Sequence, residues 1–156
     1  MPFAIRPVYV CLWLAVAGTT TVLTGCDTGP RLVPVSGKVL IDGQPLTYGF
    51  IQVMPENERV ATGTIGQDGT FTLSTYEDND GAVLGKHKAA VIAVEALNAG
   101  SQKWHAPKMY TDAQTSGLTV DITGPTDALV LELTWDGGKP FIERSGGDEN
   151  PSPSGE

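Results

Sequence analysis

Few residues in this chain combine the type and the spacing that chemistry needs. Glu77-Asp78-Asn79-Asp80-Gly81 gathers three carboxylates within four residues, and carboxylate oxygens suit hard cations. The run departs from the calcium-loop pattern Asp-x-Asp-x-Asp-Gly closed by a glutamate. Asp78 and Asp80 are therefore a weak calcium candidate, and a solvated Asp-Gly turn is the stronger expectation. His87 and His105 stand 18 positions apart, one in an expected strand and one in an expected loop, so no ligand pair forms. Trp104, His105 and Tyr110 fall in Ala96 to Thr111, the longest stretch not explained by turns. Loops carry binding function more often than strands do. Exposed, these three would form an aromatic ledge for a sugar or a partner protein. Buried, Trp104 would cap an open end of the fold and Tyr110 would pack under the loop, and the sequence favours this version. No serine, histidine and acid are spaced for nucleophilic catalysis, and no glycine loop is built to cradle phosphate. No catalytic residue and no cofactor is expected.

The elements that position these residues begin after a targeting segment. Met1 to Pro7 carries one positive charge, Arg6, and Val8 to Ala17 is apolar. This is the charged-then-apolar order of a secretory signal, whose apolar core runs about 7–15 residues. A membrane span needs about 20 apolar residues, and Gly18-Thr19-Thr20-Thr21 interrupts the run first. Leu23-Thr24-Gly25-Cys26 then resembles a bacterial lipobox: Leu, a small residue, Gly or Ala, and Cys. The resemblance implies a signal peptide over residues 1–25, cleavage between Gly25 and Cys26, and thioether lipidation of Cys26. Each buried methylene of an acyl chain contributes about 0.8 kcal/mol, and two or more chains anchor stably. The expected address is the cell envelope, with the protein exported and lipid-anchored, facing the periplasm or the outside.

The mature chain, Cys26 to Glu156, has 131 residues, the size of one domain. Loss of Arg6 leaves nine basic residues against 18 acidic, a formal charge of −9. Such a chain repels phosphate backbones, which excludes nucleic acid as a partner class. It is repelled by an anionic bilayer too, which suits a domain held off the membrane. The lipidated cysteine and tether, residues 26–32, include Gly29 and Pro30. Six tether residues reach roughly 20 Å at about 3.3–3.6 Å each. Cys11 leaves with the signal and Cys26 takes lipid, so no disulfide, thiol catalyst or cysteine-bound metal is expected.

From Val33 the chain reads as short strands between turn signals, without helical periodicity. Val35 to Ile41 is closed by Asp42-Gly43, a dipeptide suited to a tight turn. Thr47 to Pro55 sets Phe50, Gln52 and Met54 against Ile51 and Val53. Ala61 to Gly66 and Thr70 to Thr75 flank the turn Gln67-Asp68-Gly69, with Phe71 and Leu73 on the buried face. Gly85 to Leu97 holds the most apolar strand, Ala89 to Val94, which is expected to be central. Leu118 to Ile122 and Ala128 to Trp135 complete seven. Seven short strands point to an all-β, antiparallel two-sheet sandwich over residues 33–136. Residues 137–156 read as a disordered acidic tail.

Val35-Ser36-Gly37-Lys38-Val39, then Asp42-Gly43-Gln44-Pro45-Leu46, resembles the opening of carboxypeptidase regulatory-like domains. Thr64-Ile65-Gly66-Gln67-Asp68-Gly69-Thr70-Phe71-Thr72-Leu73 resembles their second signature, and Asp80-Gly81-Ala82 with Gly85-Lys86-His87-Lys88 the third. The likeness extends to small bacterial lipoproteins of this group through Pro107-Lys108-Met109-Tyr110 and Ser116-Gly117-Leu118-Thr119-Val120. It implies a transthyretin-like (prealbumin-like) Greek-key sandwich; His87 and Ala89 depart from the usual tyrosine and larger aliphatic residue. Two enzyme classes share related sandwiches. Hydroxyisourate hydrolases end in Tyr-Arg-Gly-Ser and intradiol dioxygenases carry a His-x-His pair, and this chain has neither. The expected role is non-catalytic: an envelope lipoprotein whose sandwich serves structure or protein interaction, with carbohydrate-binding accessory work as the alternative and a divergent enzyme as the third.

Overall fold

The computed structural model describes residues 30–144. Gly25, Cys26, the signal segment and the chain beyond Arg144 lie outside the described residues. The rest is nearly all strand. Chain order runs β1 (Leu32–Val33), β2 (Val35–Ile41), β3 (Gln44–Pro45), β4 (Phe50–Met54), β5 (Ala61–Thr64) and β6 (Thr70–Thr72). Next come β7 (Ala82–Val83), β8 (Gly85–Ile92), β9 (Val94–Asn98) and β10 (Ser101–Trp104). A 3-10 turn at Lys108–Thr111 precedes β11 (Thr119–Ile122), β12 (Thr126–Leu133) and β13 (Phe141–Arg144). Among the described residues no helix is long and apolar enough to cross a membrane.

Two sheets share one core. The first is antiparallel, in the order β11-β8-β4-β5. The second has β2 at its centre, with β12 on one side and β6 and β3 in succession on the other. Period-2 alternation explains the core directly. Ile51 and Val53 from β4, Ala89 and Val91 from β8, and Val120 and Ile122 from β11 all turn inward. They meet Val35 and Val39 from β2, Phe71 from β6, and Leu131 and Leu133 from β12. Each large aliphatic so buried contributes about 1.5–3 kcal/mol. The expected central strand is central, since β8 is flanked by β4 and β11. His87 sits in the inward row of β8, with its Nε2 3.0 Å from the Val83 carbonyl oxygen.

The Asp42-Gly43 turn forms as read, both residues having positive φ (49° and 77°), as a tight type I′ hairpin requires. The Gln67-Asp68-Gly69 turn does more than close a hairpin. Its first arm, β5, belongs to one sheet, and its second, β6, pairs with β2 in the other. The arms still touch, because Thr62 and Ser74 exchange two backbone hydrogen bonds of 2.8 Å. The two sheets are thus sewn together along the line between β5 and β6.

Three expectations need correction. The sandwich is not wholly antiparallel, since β12 runs parallel to β2 from Thr126↔Val35 to Leu133↔Ile41. The short connector from β11 crosses between sheets and delivers β12 to the free side of β2 in the same direction, which alternation cannot reveal. The stretch from Ala96 to Thr111 is not a loop. β9 and β10 form a hairpin, with β13 paired antiparallel on the far side of β10. That third strand also lies beyond the domain limit expected at residue 136.

Gly37 is one of the tightest points of this architecture. A Cβ there would overlap the backbone carbonyl of Leu129 across the parallel pair, beside the register shift between Thr126 and Leu129. Gly37→Ala should therefore cost about 1–3 kcal/mol through forced backbone displacement. The drop in Tm on thermal unfolding followed by circular dichroism checks this; an unchanged Tm would mean that the strands are not in such close approach.

Candidate functional site

The aromatic residues singled out by the sequence do not form a ledge. Trp104 is 8% exposed and Tyr110 6%. Trp104 ends β10, where its ring stacks on Phe141 of β13 at 6.3 Å between centroids. Its Nε1 donates to Glu143 Oε2 at 2.9 Å. Tyr110 belongs to the core, and its hydroxyl accepts from the Thr134 N–H at 3.1 Å just past β12. Both aromatics cap and pack, the favoured version. His105 stays partly open, bonded to Glu95 at 2.8 Å and stacked on Tyr48 at 4.9 Å. The three are held in three different places, so no common face is left for a ligand.

The carboxylate run is likewise structural. Asp80 accepts backbone N–H groups from Thr75 at 2.6 Å and from Tyr76 and Glu77 at 2.9 Å. Desolvation pushes its pKa up, but the donors from Thr75, Glu77 and Tyr76 together draw it below the ordinary aspartate value. Both oxygens of Asp80 are engaged by the turn backbone. Among the described residues no three His, Cys, Asp or Glu side chains converge as metal ligands. The structure gives Asp80 the part of a turn clamp, in keeping with the Asp-Gly turn expected there.

Glu143 organises the hairpin edge. Its carboxylate accepts from Lys108 Nζ, from Gln102 Nε2 at 2.7 Å and from Trp104 Nε1. The Lys108 ammonium also lies 4.9 Å from the centre of the Trp104 ring. Lys108 first, then Gln102 and Trp104, hold the Glu143 pKa down to about 2. Sequence reading missed this residue, because Phe141-Ile142-Glu143-Arg144 is a short alternation inside a polar, glycine-rich stretch.

A large hollow lies elsewhere, on the outer face of the β5–β6 line. Cross-strand register builds it. Phe50 faces Ile92 on one side and Thr64 on the other, and Gln52 likewise faces Ala90 and Thr62. Thr62 faces Ser74, and Thr72 faces Ser36. Since Ile51, Val53, Phe71 and Leu73 point inward, their neighbours Phe50, Thr62, Thr64, Thr70 and Thr72 must emerge together on the outside. The result is an open groove of about 1080 Å³ with aromatic and aliphatic groups at one side and hydroxyls at the other. Tyr48 and Phe50 are 38% and 39% exposed there. Asp78 is the only charged side chain lining it among the described residues. The signal for this site was present as Thr62-x-Thr64 and Thr70-x-Thr72-x-Ser74, which read only as wet strand faces.

Comparison of the chain with protein-family models, with curated proteins and with solved structures finds no match in any of the three. The groove and the capped hairpin therefore have to be interpreted from their own geometry.

Only ionised Glu143 can accept from all three donors. Its folded pKa, about 2, lies below the ordinary glutamate value of 4.5. Its contribution is thus complete above the ordinary value and is lost as pH falls through the folded one. Near-ultraviolet circular dichroism should show the Trp104 environment loosening with a midpoint near the lower value. Glu143→Gln should remove that step, and an unchanged titration in the variant would separate Glu143 from it.

Proposed function

We propose that this chain is a lipid-anchored envelope protein of the carboxypeptidase regulatory-like kind, which displays a non-catalytic sandwich with a binding groove turned away from the membrane. The lipid would be carried by Cys26 after cleavage at Gly25. The reading draws on the lipobox-like sequence and on one geometric observation. The chain enters the described domain at Pro30 and Arg31, which line a small hollow with Pro55, Glu56, Leu84 and Lys86. These residues adjoin the end of β4 and the start of β8, while the groove adjoins Phe50 and Ile92 at the opposite ends of the same strands. At about 3.4 Å per residue, seven steps along β8 separate tether and groove by roughly 24 Å. A short tether at one end leaves the other end free for a partner.

A non-catalytic role is supported by how the chemistry-bearing side chains are used. Asp80 clamps a turn, Glu143 clamps a strand, and His87 bonds a backbone carbonyl. A groove lined by hydroxyls and exposed aromatic rings suits binding without a reacting group.

Anchoring is tested by expressing the full chain and its Cys26→Ala variant in a bacterial host and fractionating the cells. The intact protein should sediment with membranes, and mass spectrometry should find an N-terminal diacylglyceryl-cysteine at Cys26. The variant should lose that modification. An intact protein that is unmodified at Cys26 would overturn the anchoring reading.

A further inference from the structure

Four observations bear on what the groove holds. Its lining is uncharged apart from Asp78, in a chain of formal charge −8. An anionic polymer finds no counter-charge along it, and a basic segment finds only Asp78 among the described residues. Three of its hydroxyls are free: among the described residues, Thr62, Thr64 and Thr72 make no side-chain hydrogen bond, whereas Thr70 is tied to Asp68 at 2.6 Å and Ser74 accepts from the Asn79 N–H at 2.8 Å. Planar amides stand at its margins in Gln67 and Asn79.

The fourth observation is an aromatic ring held in place. Tyr48 is stacked on His105 with 25° between planes, and Glu95 fixes His105 from β9. One face of the tyrosine is taken by His105, and Tyr48 also lines the groove. A ring so braced loses little freedom when a ligand lies on it, which lowers the cost of binding.

We infer that the groove binds a neutral oligosaccharide, with Tyr48 and Phe50 carrying the apolar faces of sugar rings and Thr62, Thr64 and Thr72 bonding their hydroxyls. The inference rests on the display reading above and gives its partner a chemical class. Saccharides match the lining because each ring offers an apolar C–H face and a rim of donors and acceptors. A hydroxyl both donates and accepts, so a threonine row serves sugars in several orientations. The volume, about 1080 Å³, lies just above the roughly 300–1,000 Å³ usual for small-molecule sites. Several linked rings fit it better than one.

The test is calorimetric titration of the full-length lipidated protein in an amine-oxide detergent, which carries no sugar head group. The probes are neutral oligosaccharides of the β-glucan, α-glucan, xylan and N-acetylglucosamine types, with oligogalacturonate as the anionic control. At least one neutral series should bind. Tyr48→Ala should weaken it about tenfold or more, as for an aromatic anchor, and Thr64→Val, which keeps the shape but removes the hydroxyl, should weaken it several-fold. Both positions are surface-facing, so Tm and far-ultraviolet spectra should stay close to wild-type values. Absence of binding by every neutral series would overturn the inference, as would binding that both substitutions leave intact or binding of the anionic control alone. A protein partner cross-linked from Thr64→Cys and not displaced by any neutral sugar would overturn it as well. Loss of sugar binding as a hypothesis leaves the Cys26 result untouched, so the two failures are distinguishable.

Discussion

The pair of backbone hydrogen bonds between Thr62 and Ser74 is the constraint on which the rest of this structure depends. β5 is committed to the sheet containing β4, and β6 to the sheet containing β2. The Gly66 N–H, donating to the Thr70 carbonyl oxygen at 2.7 Å, continues the same backbone link toward the turn. With it, Phe71 and Leu73 are driven inward between the sheets while Thr64 and Thr72 are driven out. Core and groove are two sides of one seam. Gly63 shows how close the packing is there, since a Cβ would stand 2.7 Å from the Thr72 carbonyl oxygen.

The other edges are closed by side chains. Tyr110 joins the core and holds the backbone at Thr134, and Asp42 accepts from the Thr134 hydroxyl at 2.8 Å. The β9–β10 hairpin is finished by β13 through Glu143. These clamps use up the aromatic and carboxylate groups that would otherwise suggest a site. Their spending on structure is what leaves the hydroxyl-lined face as the candidate for binding.

Much of the fold was legible because a two-residue period is a local property. The alternation of Phe50, Gln52 and Met54 with Ile51 and Val53 gave the correct faces, and Asp42-Gly43 gave the correct turn. What alternation does not encode is which strands become neighbours or which way they run. That is why β6 leaving the sheet of β5, and β12 lying parallel to β2, had to come from the structure. The hairpin hidden in Ala96 to Thr111 did carry a local signal, since Gly100 N–H bonds Asn98 Oδ1 at 3.0 Å in the kind of Asx turn those residues favour. The groove was illegible for a different reason: its residues are 14 or more positions apart between Phe50 and Thr64, Thr72 or Ile92, and only cross-strand register assembles them.

The central claim is that a lipid-anchored sandwich holds this groove away from the bilayer. Site-directed spin labelling tests it most directly, with one nitroxide at Thr64→Cys in the groove and, in a second protein, one at Leu84→Cys near the tether. Cys26 is taken up by lipid in this account, so each introduced thiol is the only one to label. The lipidated proteins would be placed in vesicles containing a nickel-chelating lipid, and relaxation by membrane-bound nickel measured. The account predicts strong relaxation at position 84 and little at position 64. Equal relaxation, or a stronger effect at 64, would contradict it.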